Sequence, residues 1–268
     1  MKPDLKLTCI LAHPDDESMG TGGLLAKYAA EGNRTTVITA TDGQQGWFGD
    51  PEEYPGEEAL AEIRAKELKA ACEVLGVSRV ERLGFEDGKL NQANPQAVIE
   101  PIVHHLRVER PQVIVTFDPF GVYGHPDHIA ISQLALTATM AAADPAYLPE
   151  HGKPHRVDKA YYFGNTEETL DLYQQAFGEL KMEINGGPRT PVGWPSWALS
   201  TRIDTSEYVD LVWQAIQCHE SQLPNIAKLS KLSPDERRRL WSEARLYPVL
   251  NLAGKDQGAE SDLFEGLR

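Results

Sequence analysis

Cysteine is scarce in this sequence, and its scarcity limits the kinds of protein that the chain can be. Only three cysteines, Cys9, Cys72 and Cys218, occur in 268 residues, and they are odd in number and far apart. A small secreted domain is held by a dense framework of paired cysteines, which this chain lacks. We therefore expect reduced thiols in a cytoplasmic protein.

Basic residues are also in the minority. The 26 lysines and arginines are outnumbered by 40 aspartates and glutamates, which gives a formal net charge of −14 at pH 7. A charge of this sign repels nucleic-acid phosphates and anionic lipid, so neither is an expected partner.

Long apolar runs are missing as well. No stretch approaches the roughly 20 apolar residues that a transmembrane helix needs. The apolar run at residues 5–12 ends at His13, which leaves no room for the core and cleavage site of a signal peptide. We expect neither membrane insertion nor secretion.

The overall composition is that of a globular protein. Hydrophobic residues make up 41% of the chain and charged residues 25%, which are ordinary values. Chains of this length with an α/β fold commonly form one domain around one core. We predict a single domain over residues 1–268, with its core in residues 5–165 and a C-terminal part of helices and loops, residues 166–268, that completes the site.

Short apolar segments alternate with helical patterns through the first half of the chain. The predicted strands are residues 5–12, 35–41, 79–85 and 113–117, and the predicted helices are 24–31, 57–75, 95–110 and 126–143. This alternation implies parallel strands joined by right-handed crossovers. The predicted fold class is therefore α/β: a Rossmann-like, doubly wound, mostly parallel sheet with helices on both faces.

The pattern is less regular beyond residue 143. Residues 144–157 and 186–197 are predicted loops, and residues 206–222 and 234–246 are predicted helices. Ser233 and Glu236 form a capping-box pattern at the start of the last of these helices.

The segment His13-Pro-Asp-Asp-Glu17 concentrates an imidazole and three carboxylates directly after the first predicted strand. Carboxylates this close raise each other's pKa unless a cation neutralises them, and a divalent ion is such a cation. The alternative interpretation is a polar turn with a capping aspartate.

The segment His125-Pro-Asp-His128 follows the strand at 113–117 and begins the next helix. A spacing of three brings the two imidazoles close together on the first turn, so one can bind a metal while the other faces a substrate. In doubly wound sheets, ligands bind beyond the carboxyl ends of the strands, which is where both histidine-rich segments are predicted to lie. Their pairing favours a functional site over two structural turns.

Two imidazoles and one carboxylate with an open position are typical of catalytic zinc, and iron(II) uses the same ligand set. A second carboxylate can accept the proton of a water that attacks a carbonyl, and Asp15 is the candidate. The spacing does not decide between Asp15 and Asp16 as the ligand. His125 can stabilise an oxyanion or protonate a leaving amine, with Asp127 available to tune it.

The two segments together resemble the LmbE/PIG-L family of zinc-dependent N-deacetylases, which remove acetyl groups from N-acetylglucosamine conjugates and related amides. The resemblance is carried by AHPDDE at residues 12–17 and YGHPDH at residues 123–128. Weaker similarities at residues 62–76, 83–88, 219–222 and 263–266 extend it over nearly the whole chain.

This resemblance implies a role for each residue of the two segments. It implies one zinc ion per chain bound by His13, Asp16 and His128, with Asp15 as the general base and His125 as oxyanion stabiliser or acid. The implied partner is a small amino-sugar conjugate. Iron(II) or another divalent ion stays an alternative to zinc.

Four more residues are assigned to the site with less support. The resemblance implies that Tyr123 assists the oxyanion and that Arg64 and Asp87 hold sugar hydroxyls, and we expect His219 to line the site. For Arg64 the alternative is a solvated charge on a helix.

Other histidines and aromatic residues are assigned structural roles. The adjacent His104 and His105 are expected on a helix surface, and the loop residues His151 and His155 lack ligand spacing. Cys218 and His219 are neighbours in sequence and therefore make no nucleophile–base pair. For the tryptophans of the 186–197 loop, Trp194 and Trp197, we favour packing over sugar stacking.

Two rival functions and the oligomeric state remain open in the sequence. A nucleotide-binding module is suggested by the glycines at 20, 22 and 23, although a leucine replaces the third glycine of the fingerprint. A phosphoesterase uses similar ligands but often two metal ions. The sequence leaves a homo-oligomer open.

Overall fold

A seven-stranded sheet forms the centre of the fold. The computed structural model describes residues 4–180, 182–184, 187–254 and 259–268. Its strands are β1 Lys6–Leu11, β2 Arg34–Thr41, β3 Arg79–Phe85, β4 Val113–Phe117, β5 Lys159–Phe163, β6 Met182–Ile184, β7 Gly187–Arg189, β8 Thr201–Asp204 and β9 Glu243–Asn251. The order in the large sheet is β3-β2-β1-β4-β5-β9-β8, and β6 pairs with β7 separately.

The helices connect the strands and cover the sheet. They are α1 Asp16–Met19, α2 Gly22–Ala30, α3 Glu57–Val74, α4 Pro95–Glu109, α5 Gly121–Gly124, α6 Pro126–Ala143, α7 Glu167–Phe177, α8 Val209–Gln217, α9 Leu223–Ile226 and α10 Pro234–Trp241. Strands β1 to β5 pair in parallel, and β9 runs antiparallel to β5 and β8. The predicted α/β class with a mostly parallel sheet is confirmed.

The central strands are apolar because both of their faces are covered. All residues of β4 and all but the first of β1 are buried, and continuous apolar runs are typical of parallel strands that have helices on both sides. None of the helices among the described residues is long and apolar enough to cross a membrane.

The C-terminal half differs from the sequence-based expectation in its secondary structure. The helix predicted at 234–246 ends at Trp241, because Glu243 begins β9. Strand β9 gains hydrogen bonds on both edges, from β5 and from β8, and this tertiary pairing overrides local helical preference. The capping box of Ser233 and Glu236 is present. Of the predicted loop 186–197, Gly186 lies outside the described residues, and the loop prediction is wrong at Gly187–Arg189, which form β7 by pairing with β6.

The strand order reverses between β1 and β4, and this reversal locates the site. The chain leaves β1 towards β2 on one side and leaves β4 towards β5 on the other. A crevice forms at such a switch point, beyond the carboxyl ends of the two strands. The histidine-rich segments after β1 and β4 both enter this crevice.

Two glycines allow the chain to pack closely beside this crevice: Gly20, between α1 and α2, and Gly23, in the first turn of α2. A Cβ on Gly20 would lie 2.6 Å from a ring carbon of Phe163, and one on Gly23 would lie 2.8 Å from the Cβ of Thr205. Close packing therefore accounts for both glycines, and it replaces the pyrophosphate-binding role that a nucleotide-binding module would require.

Candidate active site

The loop after β1 forms the first part of the site. His13 and Asp16 are only 7% and 8% exposed. The backbone N–H groups of Ala12 and His13 donate to Asp16 Oδ2, at 3.2 and 2.7 Å. This anchoring turns the other carboxylate oxygen, Oδ1, towards His128 Nε2, 3.5 Å away.

The first turn of α6 contributes the second part. His128 Nε2 is 3.1 Å from His13 Nδ1, and His13 Nδ1 is 3.6 Å from Asp16 Oδ2. Ligand atoms about 2.0–2.1 Å from a tetrahedral zinc ion lie about 3.3–3.4 Å from one another. The side chains of the three predicted ligands therefore lie together, with His13 facing one oxygen of the Asp16 carboxylate and His128 facing the other.

His128 is held rigidly and in a form that can bind metal. Its ring stacks on Phe117 with centroids 3.9 Å apart. Burial lowers the pKa of His128 to about 3, so the ring is neutral at pH 7 and Nε2 can offer a lone pair. This neutral imidazole faces a second imidazole nitrogen and a carboxylate. A cation bound between the three groups would be stabilised by all of them.

His13 is oriented from behind by two carboxylates. Its Nε2 lies 3.1 Å from Asp87 Oδ1 and 3.3 Å from Asp127 Oδ2. A carboxylate on the far nitrogen of a ligating histidine holds the ring in place and increases its basicity. Burial lowers the pKa of His13, but the hydrogen bonds to these carboxylates outweigh it and raise that pKa well above 6.5. A metal ion would therefore compete with a proton for Nδ1.

Asp127 contacts more of the site than the sequence indicated. Its carboxylate contacts His13 and accepts the backbone N–H groups of Gly88 and Leu90, at 2.7 and 2.9 Å. His125 instead meets the backbone of Asp127, because His125 Nδ1 accepts that N–H at 3.2 Å. Asp127 thus positions His13, and its charge also raises the pKa of His125 against the effect of burial, in the sense expected from the sequence.

Among the described residues, two groups bring three possible ligand atoms within 4.8 Å of one another: His13 with His125 and His128, and His13 with Asp87 and Asp127. Asp16 belongs to neither group, because His13 and His128 face different oxygens of its carboxylate. We keep His13, Asp16 and His128 as the proposed ligand set, because the Asp16 carboxylate lies 3.6 Å from His13 and 3.5 Å from His128, with His125 beside it.

Asp15 lies next to the proposed ligands with its side chain partly exposed. Its φ of 119° is in a region that non-glycine residues seldom adopt, and such strain is concentrated at functional sites. Burial raises the pKa of Asp15 to about 6, against the opposing charge of Arg64. The carboxylate is therefore a stronger base than an ordinary aspartate and is suited to accept a proton near neutral pH.

Arg64 is buried, so the alternative of a solvated helix charge is wrong. It is 2% exposed, and its guanidinium donates to Gly43 O at 2.7 Å, to Pro14 O, and to Asp15 Oδ2 at 3.0 Å. These contacts tie α3 to the loop and orient the Asp15 carboxylate. The guanidinium also lines the cavity described below.

His125 and Tyr123 lie on the other side of the proposed metal position. Burial lowers the pKa of His125 to about 4. Because Nδ1 accepts a hydrogen bond, the ring's proton is on Nε2, which makes that atom a donor. Tyr123 packs edge-on against His125 and His128 with centroids 6.0 and 5.1 Å apart, and burial raises the pKa of its hydroxyl well above 10. Both groups can donate hydrogen bonds at pH 7.

Glu17 and His219 form a buried pair beneath the loop. Both are fully buried, and His219 Nε2 is 2.7 Å from Glu17 Oε1. Glu17 Oε2 accepts the backbone N–H of Asp15 at 2.9 Å. No role was predicted for Glu17 from the sequence. Its position as the third acid of the HPDDE segment could have indicated that it belongs to the site.

One cavity of about 840 Å³ opens onto these groups. Its lining includes eight of the predicted site residues: His13, Asp15, Asp16, Arg64, Asp87, Tyr123, His125 and His128. Asp127 lies behind His13, and His219 lies beneath the loop, so neither is part of the lining. The expectation that His219 lines the site is therefore corrected: it supports the loop from below.

The remaining expectations concern residues outside the cavity. His104 is exposed and His151 pairs with Glu100 at 3.0 Å, while His155 hydrogen-bonds to Pro111 O. Trp194 packs against Tyr247 and donates to Asp118 Oδ2 at 2.7 Å. Trp197 is 81% exposed, so packing describes the first tryptophan but not the second.

Solved structures with the same fold include enzymes of different chemistry. N,N'-diacetylchitobiose deacetylase from Pyrococcus horikoshii aligns with a TM-score of 0.69 and 22% identity over 92% of this chain and 85% of that chain. GalB, the 4-carboxy-2-hydroxymuconate hydratase from Pseudomonas putida KT2440, also aligns with a TM-score of 0.69, at 18% identity over 95% of this chain and 100% of its own. The fold alone therefore does not define the reaction.

Sequence comparison is more specific. Residues 8–139 match the profile of the PIG-L family, described as GlcNAc-PI de-N-acetylase. The 1D-myo-inositol 2-acetamido-2-deoxy-alpha-D-glucopyranoside deacetylase of Streptomyces avermitilis is 31% identical over 293 residues, which cover 99% of this chain and 98% of the relative. Agreement over nearly the full length of both chains shows that the protein belongs to the PIG-L family.

Proposed function

We propose that this protein is a metal-dependent hydrolase that removes the N-acetyl group from an N-acetylglucosamine conjugate. One observation carries the proposal: the nearest polar atoms of the His13, Asp16 and His128 side chains are 3.1–3.6 Å apart on the wall of a cavity, beside the raised-pKa carboxylate of Asp15. The family match and the deacetylase relative support the same reaction.

The donor set favours one zinc ion per chain, held by His13, Asp16 and His128. When bound, such an ion would polarise a water molecule and the acetamide carbonyl. Iron(II) uses the same ligands and is an outcome that metal analysis distinguishes. Phosphoesterases often use two ions, and the acidic triad behind His13 shares that residue with the first site, which favours a single ion.

Asp15 acts as the general base in this proposal. Its carboxylate accepts a proton from water as the water attacks the acetyl carbonyl carbon, and Arg64 holds it in position through the 3.0 Å contact. The proton is then available for the amine that leaves when the C–N bond breaks.

His125 and Tyr123 stabilise the negative charge that develops on the carbonyl oxygen. The Nε2–H of His125 and the hydroxyl of Tyr123 are fixed donors on the cavity wall. Donors fixed in advance stabilise a transition-state oxyanion without reorganisation. Because burial lowers the pKa of His125 to about 4, its neutral ring acts here as a hydrogen-bond donor, and the proton for the leaving amine comes from Asp15.

Arg64 and Asp87 line the cavity and support the binding of sugar hydroxyls. We propose that residues 1–268 function as one unit, since the cavity also contains side chains from the C-terminal part, including Gln222 and Trp241. Asp87 would then contact both His13 and the sugar.

Metal analysis combined with an acetate-release assay tests the proposal. The purified protein is expected to contain about one zinc per chain and to release acetate from N-acetylglucosamine glycosides. Asp15→Ala should keep the metal and lower kcat by about 10²–10⁴-fold, the usual contribution of a general base. His13→Ala should lose both metal and activity, and Asp171→Ala, on the exposed face of α7, is the matched control.

The outcomes separate the parts of the proposal. Wild-type acetate release by Asp15→Ala would remove Asp15 as the base. Metal binding without acetate release from any amide would leave the metal site intact and reject the deacetylase function.

A further inference from the structure

The cavity extends well beyond the groups that would react with an acetamide. Its volume of about 840 Å³ is near the upper end of the roughly 300–1,000 Å³ that ligand pockets usually span. A single sugar ring occupies only part of such a space. The remaining volume is available to the group attached to the amino sugar.

One side of this extra volume is apolar. We call it the apolar arm, and define it by six lining residues: Met19, Leu172, Tyr173, Phe177, Ile226 and Leu240. These side chains belong to a hydrophobic cluster formed mainly by α7, α8, α9 and α10, or pack against it. The arm is therefore a built apolar surface rather than a scatter of exposed residues.

The apolar arm begins beside the proposed metal site. Met19 ends α1, the single helical turn that starts with the proposed ligand Asp16. Its carbonyl accepts the indole N–H of Trp241 at 3.2 Å, which ties the end of α1 to α10. The proposed ligand Asp16 and the arm residue Met19 thus lie at opposite ends of one helical turn, and both line the same cavity.

Two arginines on this side of the cavity, Arg239 and Arg245, are each paired with a glutamate that also lines it. Arg239 contacts Glu168 at 3.3 Å, and Arg245 contacts Glu243. The side chains of Arg239 and Glu168 are more than half exposed, so they lie at the solvent side of the cavity. Paired charges of both signs give no net attraction for a phosphate or carboxylate group.

These observations restrict the group that the arm can accept. Polar side chains such as Thr169 and Asn225 also line the cavity, but five of the six residues of the arm have no side-chain hydrogen-bonding group apart from the weak thioether of Met19. A polyol against these five side chains would lose water at its hydroxyls without gaining a partner, and buried polar groups that lack hydrogen bonds are costly. An alkyl or aryl group would bury apolar surface there and pay no such penalty.

We propose that the substrate is an N-acetylglucosamine conjugate whose aglycone is uncharged and apolar, an alkyl or aryl group bound in the apolar arm. The inference rests on the proposed deacetylase function. It separates this chain from its relative, whose name specifies an inositol conjugate.

The test compares three α-linked N-acetylglucosaminides that differ only in the aglycone: methyl, hexyl and inositol. Acetate release gives kcat/KM for each, and calorimetric titration of the Asp15→Ala protein gives Kd without turnover. We expect the hexyl glycoside to exceed both others at least tenfold in kcat/KM and in affinity. Met19→Gln, a polar residue of similar size, should reduce the hexyl-to-methyl ratio by about tenfold.

The control is Met140→Gln, the same substitution at a residue that is 53% exposed on α6; it should leave the hexyl-to-methyl ratio unchanged. Equal values for hexyl and methyl glycosides, or a preference for inositol, would overturn the proposal. If no glycoside releases acetate, the deacetylase function fails, while the Kd values still decide whether the arm prefers an apolar aglycone.

Discussion

Glu17 and His219 form a fully buried pair beneath the loop that follows β1. Substitution of one partner measures what the pair contributes to the free energy of unfolding. His219→Leu removes the imidazole 2.7 Å from Glu17 Oε1. Glu17 then keeps only the hydroxyl of Ser18, at 2.5 Å, and the backbone N–H of Asp15, at 2.9 Å. The carboxylate would be left in the interior without its cationic partner.

Removal of one partner from a buried ion pair typically lowers the free energy of unfolding by about 3–5 kcal/mol. Because two hydrogen bonds to Glu17 remain, we expect the lower end, about 3 kcal/mol. The double variant Glu17→Leu/His219→Leu should recover a large part of this loss, since it leaves no unpaired charge.

Urea unfolding of the metal-free protein, monitored by circular dichroism at pH 6, gives these values. Metal is removed because an ion bound only to the folded state adds its own stability. His104→Leu, on the exposed face of α4, is the matched control and should change stability by less than about 0.5 kcal/mol. A His219→Leu protein as stable as the wild type would refute the pairing, as would additive single and double variants.

The pair also predicts a pH dependence. Burial lowers the pKa of His219, but the charge of Glu17 outweighs it and holds that pKa above its ordinary 6.5. A raised folded-state pKa contributes stability that is complete below pH 6.5 and is lost as the pH rises through the folded value. The stability difference between wild type and His219→Leu should therefore be larger at pH 6 than at pH 9.

Three further predictions concern the ligand support, the core and the thiols. Asp127→Asn should weaken metal binding about 10–100-fold in a chelator competition assay, because it alters the carboxylate behind His13; unchanged affinity would remove that role. Lys159→Met should lower the free energy of unfolding in urea by about 3 kcal/mol at most, the lower end for a buried pair, because Glu260 loses Lys159 at 2.7 Å but keeps hydrogen bonds from Tyr161, Thr201 and Asn251. Cys218 should react first with a thiol reagent in the native protein, because Cys9 and Cys72 are buried and burial raises the pKa of Cys9 to about 12; equal rates for all three would contradict the buried positions.

The first half of the chain could be predicted well from its sequence because its signals are local. The apolar run at residues 113–117 forms the buried strand β4, and Pro126 occupies the first turn of α6, which His125 caps. The likeness of residues 12–17 and 123–128 to a known family added the distinction between Asp15 and Asp16, which spacing could not make.

The later strands and the supporting contacts depend on residues distant in sequence. Strand β9 forms because β5 and β8 provide hydrogen-bond partners along its two edges. No local pattern in residues 243–246 predicts those partners. The carboxylate of Asp127 faces His13, 114 residues away, rather than its neighbour His125.

The sequence by itself determined the α/β fold and the residues proposed to bind a metal, because strand patterns and ligand types can be recognised in short segments. Tertiary structure decided what each residue does. It buried Arg64 against Asp15, placed His219 beneath the loop with Glu17, and added an apolar arm from α7, α9 and α10. Burial and partner choice arise from packing between distant segments, and no local pattern specifies them.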